Sequence, residues 1–219
     1  MAYEPTKMAQ FFNERADGYE EHMRPLVSDL YDVISTPIPT TNEPISILDL
    51  GCGTGLEFKT LFAKAPNVLI AGVDISEKML SRLKDKYQAR MSQIKLIHGS
   101  FERVFLGKDE YDYVLSVMSL HHLLPSPKCK LYDRIRRSLR SAGKYVEGDY
   151  VVSQREERES MSNYHKTIEK YQLSANKIYH IDLPFSIKTQ IELLTKAGFS
   201  KVRTIWKKRK AAIFVAETS

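Results

Sequence analysis

Cysteine is nearly absent from the chain: Cys52 and Cys129 are the two in 219 residues. Two thiols give no disulfide framework, which excludes a stapled secreted scaffold and makes a reducing cytoplasm the default compartment. Long hydrophobic runs are also missing. No apolar stretch reaches the ~20 residues a membrane-spanning helix needs, so no membrane partner is expected. The opening Met1-Ala2-Tyr3-Glu4-Pro5 lacks the basic-then-apolar shape of a secretory leader. Charge is not strongly one-sided. The formal net charge of +6 admits an anionic partner but does not require one, and solubility alone accounts for it. A hydrophobic content of 42% is ordinary for a folded domain and excludes wholesale disorder. The length suits one sizeable α/β core and is short for two.

What the chain does have is a glycine loop. Ile45-Ser46-Ile47-Leu48-Asp49-Leu50 is a short apolar run carrying an acid, followed by Gly51-Cys52-Gly53-Thr54-Gly55 and a helical pattern over 56–65. This reads as a buried strand, a tight turn and a helix start. Glycine permits positive φ and lets a ligand approach where a Cβ would intrude. The dinucleotide fingerprint is G-x-G-x-x-G; here the third glycine, Gly55, arrives one residue early, which disfavours a nicotinamide or flavin cofactor. Asp49 is placed to order the loop amides or to meet a cationic ligand.

The segment resembles motif I, (D/E)-x-G-x-G-x-G, of the class I S-adenosylmethionine-dependent methyltransferases, through Asp49, Gly51, Gly53 and Gly55. The resemblance implies a doubly wound, seven-stranded, mostly parallel α/β Rossmann-like sheet. Its strand order is 3-2-1-4-5-7-6, with strand 7 antiparallel, and helices cover both faces. The cofactor implied is S-adenosyl-L-methionine. The chain then divides into a helical lid and connector (1–43), a cofactor-binding core (44–152), a substrate-covering insertion (153–185), and a last helix with a terminal hairpin (186–219).

The rest of the chain fits that plan. Residues 5–34 read as helices, with Met8, Phe11 and Phe12, then Met23, Leu26, Leu30 and Val33, at helical spacing and a break at Gly18. By resemblance Phe12, Ala16 and Tyr19 fold over the cofactor, with Tyr19 and Arg15 near its methionine end; core packing of Tyr19 is the alternative. Three prolines in Thr36–Pro44 make a surface connector. Val68–Asp74 reads as a second strand, and Asp74 lies about 20 residues beyond the first glycine, where an acid binds ribose hydroxyls. A helix cap is the plainer alternative. Ser76 starts a helix whose buried stripe includes Met79. After a third strand, 93–98, the family often has Gly-Asp; here it is Gly99-Ser100, and a hydroxyl bonds adenine less strongly than a carboxylate. Phe101 packs on the purine or in the core.

Strand four, 111–117, leads into Ser116-Val117-Met118-Ser119-Leu120-His121-His122, similar to the "S-x-x-H-H" segment of many small-molecule methyltransferases. One of the two histidines is expected to meet cofactor or substrate. No metal is expected, because adjacent histidines without a cysteine or carboxylate cluster lack metal-site spacing. A helix over 128–140, ended by Gly143, is expected to turn Arg134, Arg136, Arg137 and Arg140 outward. Strand five, 144–152, carries Asp149. The last helix begins at Ser186, and strands 199–206 and 211–216 flank the basic turn Lys207-Lys208-Arg209-Lys210.

The resemblance implies cofactor contacts from Tyr19, Asp49, Gly51, Cys52, Gly53, Gly55, Asp74, Ile75, Met79, Ser100, Phe101 and Ser116. It offers His121, His122 and Asp149 as catalytic candidates, a base being needed where the acceptor must lose a proton. The acceptor expected is a small molecule. RNA is the alternative, through methyl transfer or synthesis of a carboxylated cofactor as in relatives of wobble-uridine modification enzymes. A non-enzymatic binder of the cofactor is the remaining class.

Overall fold

A computed structural model describes residues 5–174 and 178–218, without the side chains of residues 24–26. Met1–Glu4, Ser219 and the Leu26 side chain therefore lie outside the described residues. The sheet has seven strands in the order β3-β2-β1-β4-β5-β7-β6. These are β1 (Ser46–Leu50), β2 (Leu69–Asp74), β3 (Ile94–His98), β4 (Tyr111–Val117), β5 (Leu139–Tyr150), β6 (Lys201–Lys208) and β7 (Ala211–Glu217). The first five pair in parallel; β7 runs antiparallel to both β5 and β6.

A parallel sheet is buried on both faces, so its strands read as continuous apolar runs. Ile47, Leu48 and Leu50 of β1 and Val114, Leu115 and Val117 of β4 are all buried. Two cores result, one on each face. Ile47, Phe58, Leu61, Leu83 and Val146 pack in the first; Leu48, Leu50, Val114, Tyr132 and Phe214 pack in the second.

Seven helices flank the sheet among the described residues: α1 (Met8–Arg15), α2 (Tyr19–Val33), α3 (Phe58–Lys64), α4 (Glu77–Lys86), α5 (Pro125–Ser138), α6 (Gln154–Lys170) and α7 (Ile187–Lys196). Gly18, at φ 77°, makes the break between α1 and α2. Ser76 caps α4 by accepting from the Met79 amide at 3.2 Å. Ser153 and Glu156 form a reciprocal capping box that starts α6. No helix among the described residues is long and apolar enough to cross a membrane.

Two expectations about α5 are corrected. It ends at Ser138, and Gly143 lies inside β5: the helical stripe runs straight into a buried strand with no intervening glycine. The arginines are not a solvated row either. Arg134 donates to the carbonyls of Phe101 (2.9 Å), Glu102 (2.7 Å) and Val104. Arg136 reaches the Ala197 carbonyl at 3.1 Å, and Arg140 pairs with Asp112 at 2.9 Å. The terminal turn is tighter than expected, since β6 extends to Lys208.

The insertion is tied back onto the core and onto the N-terminus. The Leu183 amide donates to the His121 carbonyl at 2.6 Å, the Met8 amide to the Ile178 carbonyl at 3.0 Å, and the His180 amide to the Thr6 carbonyl at 2.9 Å. Residues 178–183 are thereby held beside the carboxyl end of β4, where ligands bind in open α/β sheets.

Candidate functional site

The carboxyl ends of β1, β2 and β4 open into a cleft with about 630 Å³ of empty volume, lined by Phe12, Tyr19, Gly51, Gly53, Asp74, Ile75, Met79, Ser100, Phe101 and Glu102 among others. The glycine loop forms its floor. A Cβ on Gly51 would stand 2.5 Å from the Ser119 Cβ, so glycine is required by close approach. Gly53, at φ 51°, has nothing within 4 Å of its Cβ position and leaves its side of the loop free. Asp74 fixes the loop: its carboxylate accepts from the Gly53 amide at 2.9 Å and the Ser76 amide at 2.7 Å. Burial raises the Asp74 pKa, and those two amides hold it back. Each carboxylate oxygen still has a lone pair to offer.

Asp49 does not order the loop amides, which corrects the expectation. It lies fully buried in β1, and neither of its oxygens has a hydrogen-bond partner. Burial first, and then the neighbouring Glu57 carboxyl, push its pKa well up. Glu57 is 3% exposed, and burial raises its pKa too. Two carboxyls offer only acceptors to each other until a proton sits between them, so the pair is expected to share one. Cys52, Gly55 and Ser116 also turn away from the cleft. The Cys52 sulfur lies against Gly72 of β2, the Gly55 carbonyl accepts from the Tyr87 hydroxyl at 2.7 Å, and the Ser116 hydroxyl meets the Tyr145 hydroxyl at 3.0 Å in the core. Tyr19, Ile75, Met79, Ser100 and Phe101 line the cleft. Glu102, which the sequence reading passed over, joins them two residues beyond Ser100.

A second cavity, with about 920 Å³ of empty volume, adjoins the first and shares Phe12, Tyr19, Met118 and His122 with it. Arg15, His121, Tyr150, His180 and Asp182 also line it. Arg15 therefore belongs to this cavity; its guanidinium lies 3.7 Å from the centroid of Phe11. Both histidines line the cavity. His121 Nδ1 meets Asp149 Oδ1 at 2.6 Å, with both groups buried. Asp149 further accepts from the amides of Tyr150 at 2.8 Å and Leu120 at 3.2 Å. Burial would raise the Asp149 pKa, but His121 beside it brings it below the usual carboxylate range. Burial likewise opposes charge on His121, and Asp149 more than offsets it, raising that pKa. An ionised Asp149 can only accept, so the Nδ1 proton of His121 points to it and Nε2 is left toward the cavity.

His122 and His180 sit beside this pair, with ring centroids 4.7 Å apart. Burial lowers both of their pKa values, that of His180 to about 4. Asp182 lies among all three histidines and is held at about 2: burial would raise it, but the His122 hydrogen bond and the surrounding imidazoles outweigh that. His180 and Asp182 were not singled out from the sequence, since they lie 58 and 60 residues beyond His122 in an unpatterned segment.

The cleft fits the cofactor that the glycine loop implies. Asp74 stands at the carboxyl end of β2 with acceptor capacity to spare, and there is open space at Gly53.

Comparison with known proteins agrees. Residues 47–143 match the family model described as a methyltransferase domain. A carboxy-S-adenosyl-L-methionine synthase of Nautilia profundicola is 22% identical over 179 residues, covering 78% of this chain and 76% of that protein. A malonyl-[acyl-carrier protein] O-methyltransferase of Priestia megaterium is 32% identical over 108 residues, covering 48% of this chain and 38% of that one. Among solved structures, an S-adenosylmethionine-dependent methyltransferase from Thermotoga maritima superposes with a TM-score of 0.65 at 19% identity, covering 97% of this chain and 100% of that chain. With residues 47–143 matching a methyltransferase domain and with its 3-2-1-4-5-7-6 sheet, the chain is similar to the class I S-adenosylmethionine-dependent methyltransferases.

Proposed function

We propose that this chain transfers a methyl group from S-adenosylmethionine to a small molecule held in the second cavity. The observation that carries the reading is that the cavity adjoins the glycine-loop cleft, with Phe12, Tyr19, Met118 and His122 lining both. A donor in one and an acceptor in the other would meet at those residues. Bound S-adenosylmethionine supplies an already electrophilic methyl on a cationic sulfur and departs as a neutral thioether. The protein's part is alignment, water exclusion and, for a hydroxyl acceptor, proton removal.

Asp74 accepts from the ribose hydroxyls while it holds the loop. Gly51 and Gly53 allow the methionine portion to lie against the backbone. Ser100, Phe101 and Glu102 receive the adenine. Asp49 lies beneath the loop, buried in β1, and makes no contact in the cleft. His121 Nε2 takes the acceptor's proton; Asp149 fixes the imidazole tautomer and favours the imidazolium. Tyr19, from the start of α2, covers the junction.

A second reading is synthesis of a carboxylated cofactor. The carboxy-S-adenosyl-L-methionine synthases of Nautilia profundicola and Campylobacter fetus match over 76% and 86% of their own length, against 38% for the O-methyltransferase. RNA as acceptor has less support, since Lys208 pairs with Asp29 at 2.6 Å and Lys210 with Glu156 at 2.9 Å.

Mass spectrometry of the nucleoside released by denaturing the purified protein, with calorimetric titration of S-adenosylmethionine, tests the assignment. S-adenosylmethionine or S-adenosylhomocysteine supports methyl transfer, and a carboxylated species moves the protein to the second reading. An empty protein that also fails to bind S-adenosylmethionine overturns both.

A further inference from the structure

Around the His121 imidazole the second cavity gathers His122, His180 and Asp182, to which the methyl-transfer reading gives no proton-transfer role. Asp182 Oδ1 lies 3.3 Å from His122 Nδ1, 3.7 Å from His121 Nε2 and 4.0 Å from His180 Nε2. One ligand atom each from His121, His122 and Asp182 can be chosen so that all lie within 4.8 Å of one another. Around a tetrahedral ion with bonds of about 2.1 Å, neighbouring ligand atoms stand about 3.4 Å apart. The distances from Asp182 Oδ1 to the two histidine nitrogens, 3.3 and 3.7 Å, bracket that value.

We propose that His121 Nε2, His122 Nδ1 and the Asp182 carboxylate form a divalent transition-metal site in the wall of the acceptor cavity, with His180 Nε2 within reach as a further ligand; with an ion bound, the His121 Nε2 lone pair is a ligand and is not free to act as the base assigned above.

The surroundings of these atoms are those of a metal site. A ligating histidine characteristically donates its other ring N–H to a carboxylate, which fixes the tautomer and strengthens the donor nitrogen. His121 does this with Asp149 at 2.6 Å, deep in the core. Both histidine side chains are more than nine-tenths buried, at 7% and 4% exposed, while Asp182 is 53% exposed at the cavity mouth. The fixed ligands thus come from the rigid end of β4, and the movable one closes over the ion. The backbone makes the same arrangement, because the Leu183 amide is bonded to the His121 carbonyl at 2.6 Å. His122 Nδ1 also lies 3.3 Å from the Ile181 carbonyl; the proton it shares there is the one an ion would displace on binding.

The donor set selects the metal. Two or three imidazoles with one carboxylate suit zinc, iron(II), cobalt(II) or nickel(II), whereas magnesium and calcium call for oxygen ligands. Three protein ligands leave a position open to the cavity. An acceptor with a hydroxyl or carboxylate oxygen would fill it and be held beside His122, which also lines the cofactor cleft.

The test uses full-length protein purified without a polyhistidine tag and stripped with a chelator. Zinc is titrated calorimetrically, and cobalt(II) by its visible absorption. One equivalent of each is expected to bind, with His122→Ala and Asp182→Ala each weakening zinc at least 100-fold. Asp149→Asn is expected to weaken it about 10–100-fold through the outer shell. His165→Ala, on the exposed side of α6, is expected to leave it unchanged. Circular dichroism shows whether each variant is folded. A wild-type protein with no saturable one-equivalent binding overturns the proposal. So does zinc binding that survives in folded His122→Ala and Asp182→Ala. The titrations contain neither cofactor nor acceptor, so their failure leaves the methyl-transfer reading standing.

Discussion

Replacing Asp49 by Asn is expected to stabilise the cofactor-free protein, and to do so more as the pH rises. Asp49 is fully buried, has no donor for either oxygen and faces Glu57, also without a donor for its Oε1. Burial raises its pKa, with the Glu57 charge adding to the effect. An acid whose folded pKa lies above its unfolded value holds its proton longer in the folded state. Between those two values the folded state binds more protons, so stability falls as the pH rises. Asn carries no such penalty, and its NH₂ can donate to the Glu57 carboxylate. Removing an uncompensated buried acceptor is worth about 1–3 kcal/mol. In a chain of this length each kcal/mol moves Tm by about 2–4 °C. Thermal melts of wild type and Asp49→Asn from pH 5 upward should nearly coincide at the acid end, where Asp49 is protonated and close to isosteric with Asn. They should diverge by several degrees at the alkaline end, with the variant melting higher. A constant difference across pH, or a variant that melts lower at alkaline pH, would refute the shared-proton account. It would mean that Asp49 is ionised in the fold and satisfied by a donor.

Three further outcomes follow from the site. Asp74→Ala removes a carboxylate that already holds two amides and is assigned the ribose hydroxyls. Losing two hydrogen bonds to a charged group, at about 1.5–3 kcal/mol each, should weaken S-adenosylmethionine at least 100-fold by calorimetry; unchanged affinity in a folded variant removes Asp74 from the site. His121→Gln, assayed for methyl transfer on an acceptor found by product mass spectrometry, should lower kcat about 10²–10⁴-fold while cofactor affinity holds; an unaltered kcat excludes His121 as the base. Arg134→Ala strips a shared donor from the carbonyls of Phe101, Glu102 and Val104. It should weaken cofactor binding through the loosened Phe101 loop and lower Tm; intact affinity would make Arg134 a purely structural tie.

The fold was legible because its signals are local. The apolar run before Gly51, the Ser76 cap, the stripe of α4 and the break at Gly18 each need only a few consecutive residues to be read. The end of α5 was misplaced for the same reason. Gly143 is the visible stop signal, yet Leu139 onward is already strand, paired with Tyr111 of β4 across 28 residues of sequence. A helix that ends because the following residues are needed by the sheet leaves no mark at its own boundary. Arg134 was read as solvated by the same local reasoning, since an arginine row on an amphipathic helix is ordinarily outward. Its actual partners are carbonyls of a loop some 30 residues away.

The glycine-loop cleft is built mostly from short runs of the chain, so the local signal carries far: Tyr19, Gly51, Gly53, Asp74, Ile75, Met79, Ser100 and Phe101, of the twelve residues expected to contact cofactor, line one cleft. The four that do not, Asp49, Cys52, Gly55 and Ser116, share the motif or strand but face inward, because successive strand side chains alternate between faces and a tight loop turns only some of its residues outward. The acceptor half is assembled across the chain. His121 and His122 are adjacent and visible, but the groups that give them chemical meaning are Asp149 on β5 and the His180–Asp182 segment. That segment reaches the site only through backbone bonds from Leu183 to His121, Met8 to Ile178 and His180 to Thr6. Metal-ligand spacing in a sequence reports sites built within one short segment. A histidine pair completed by a carboxylate 60 residues on carries no such spacing. The dismissal of a metal from sequence was therefore a statement about spacing alone, and it does not bear on ligands that the fold itself brings together.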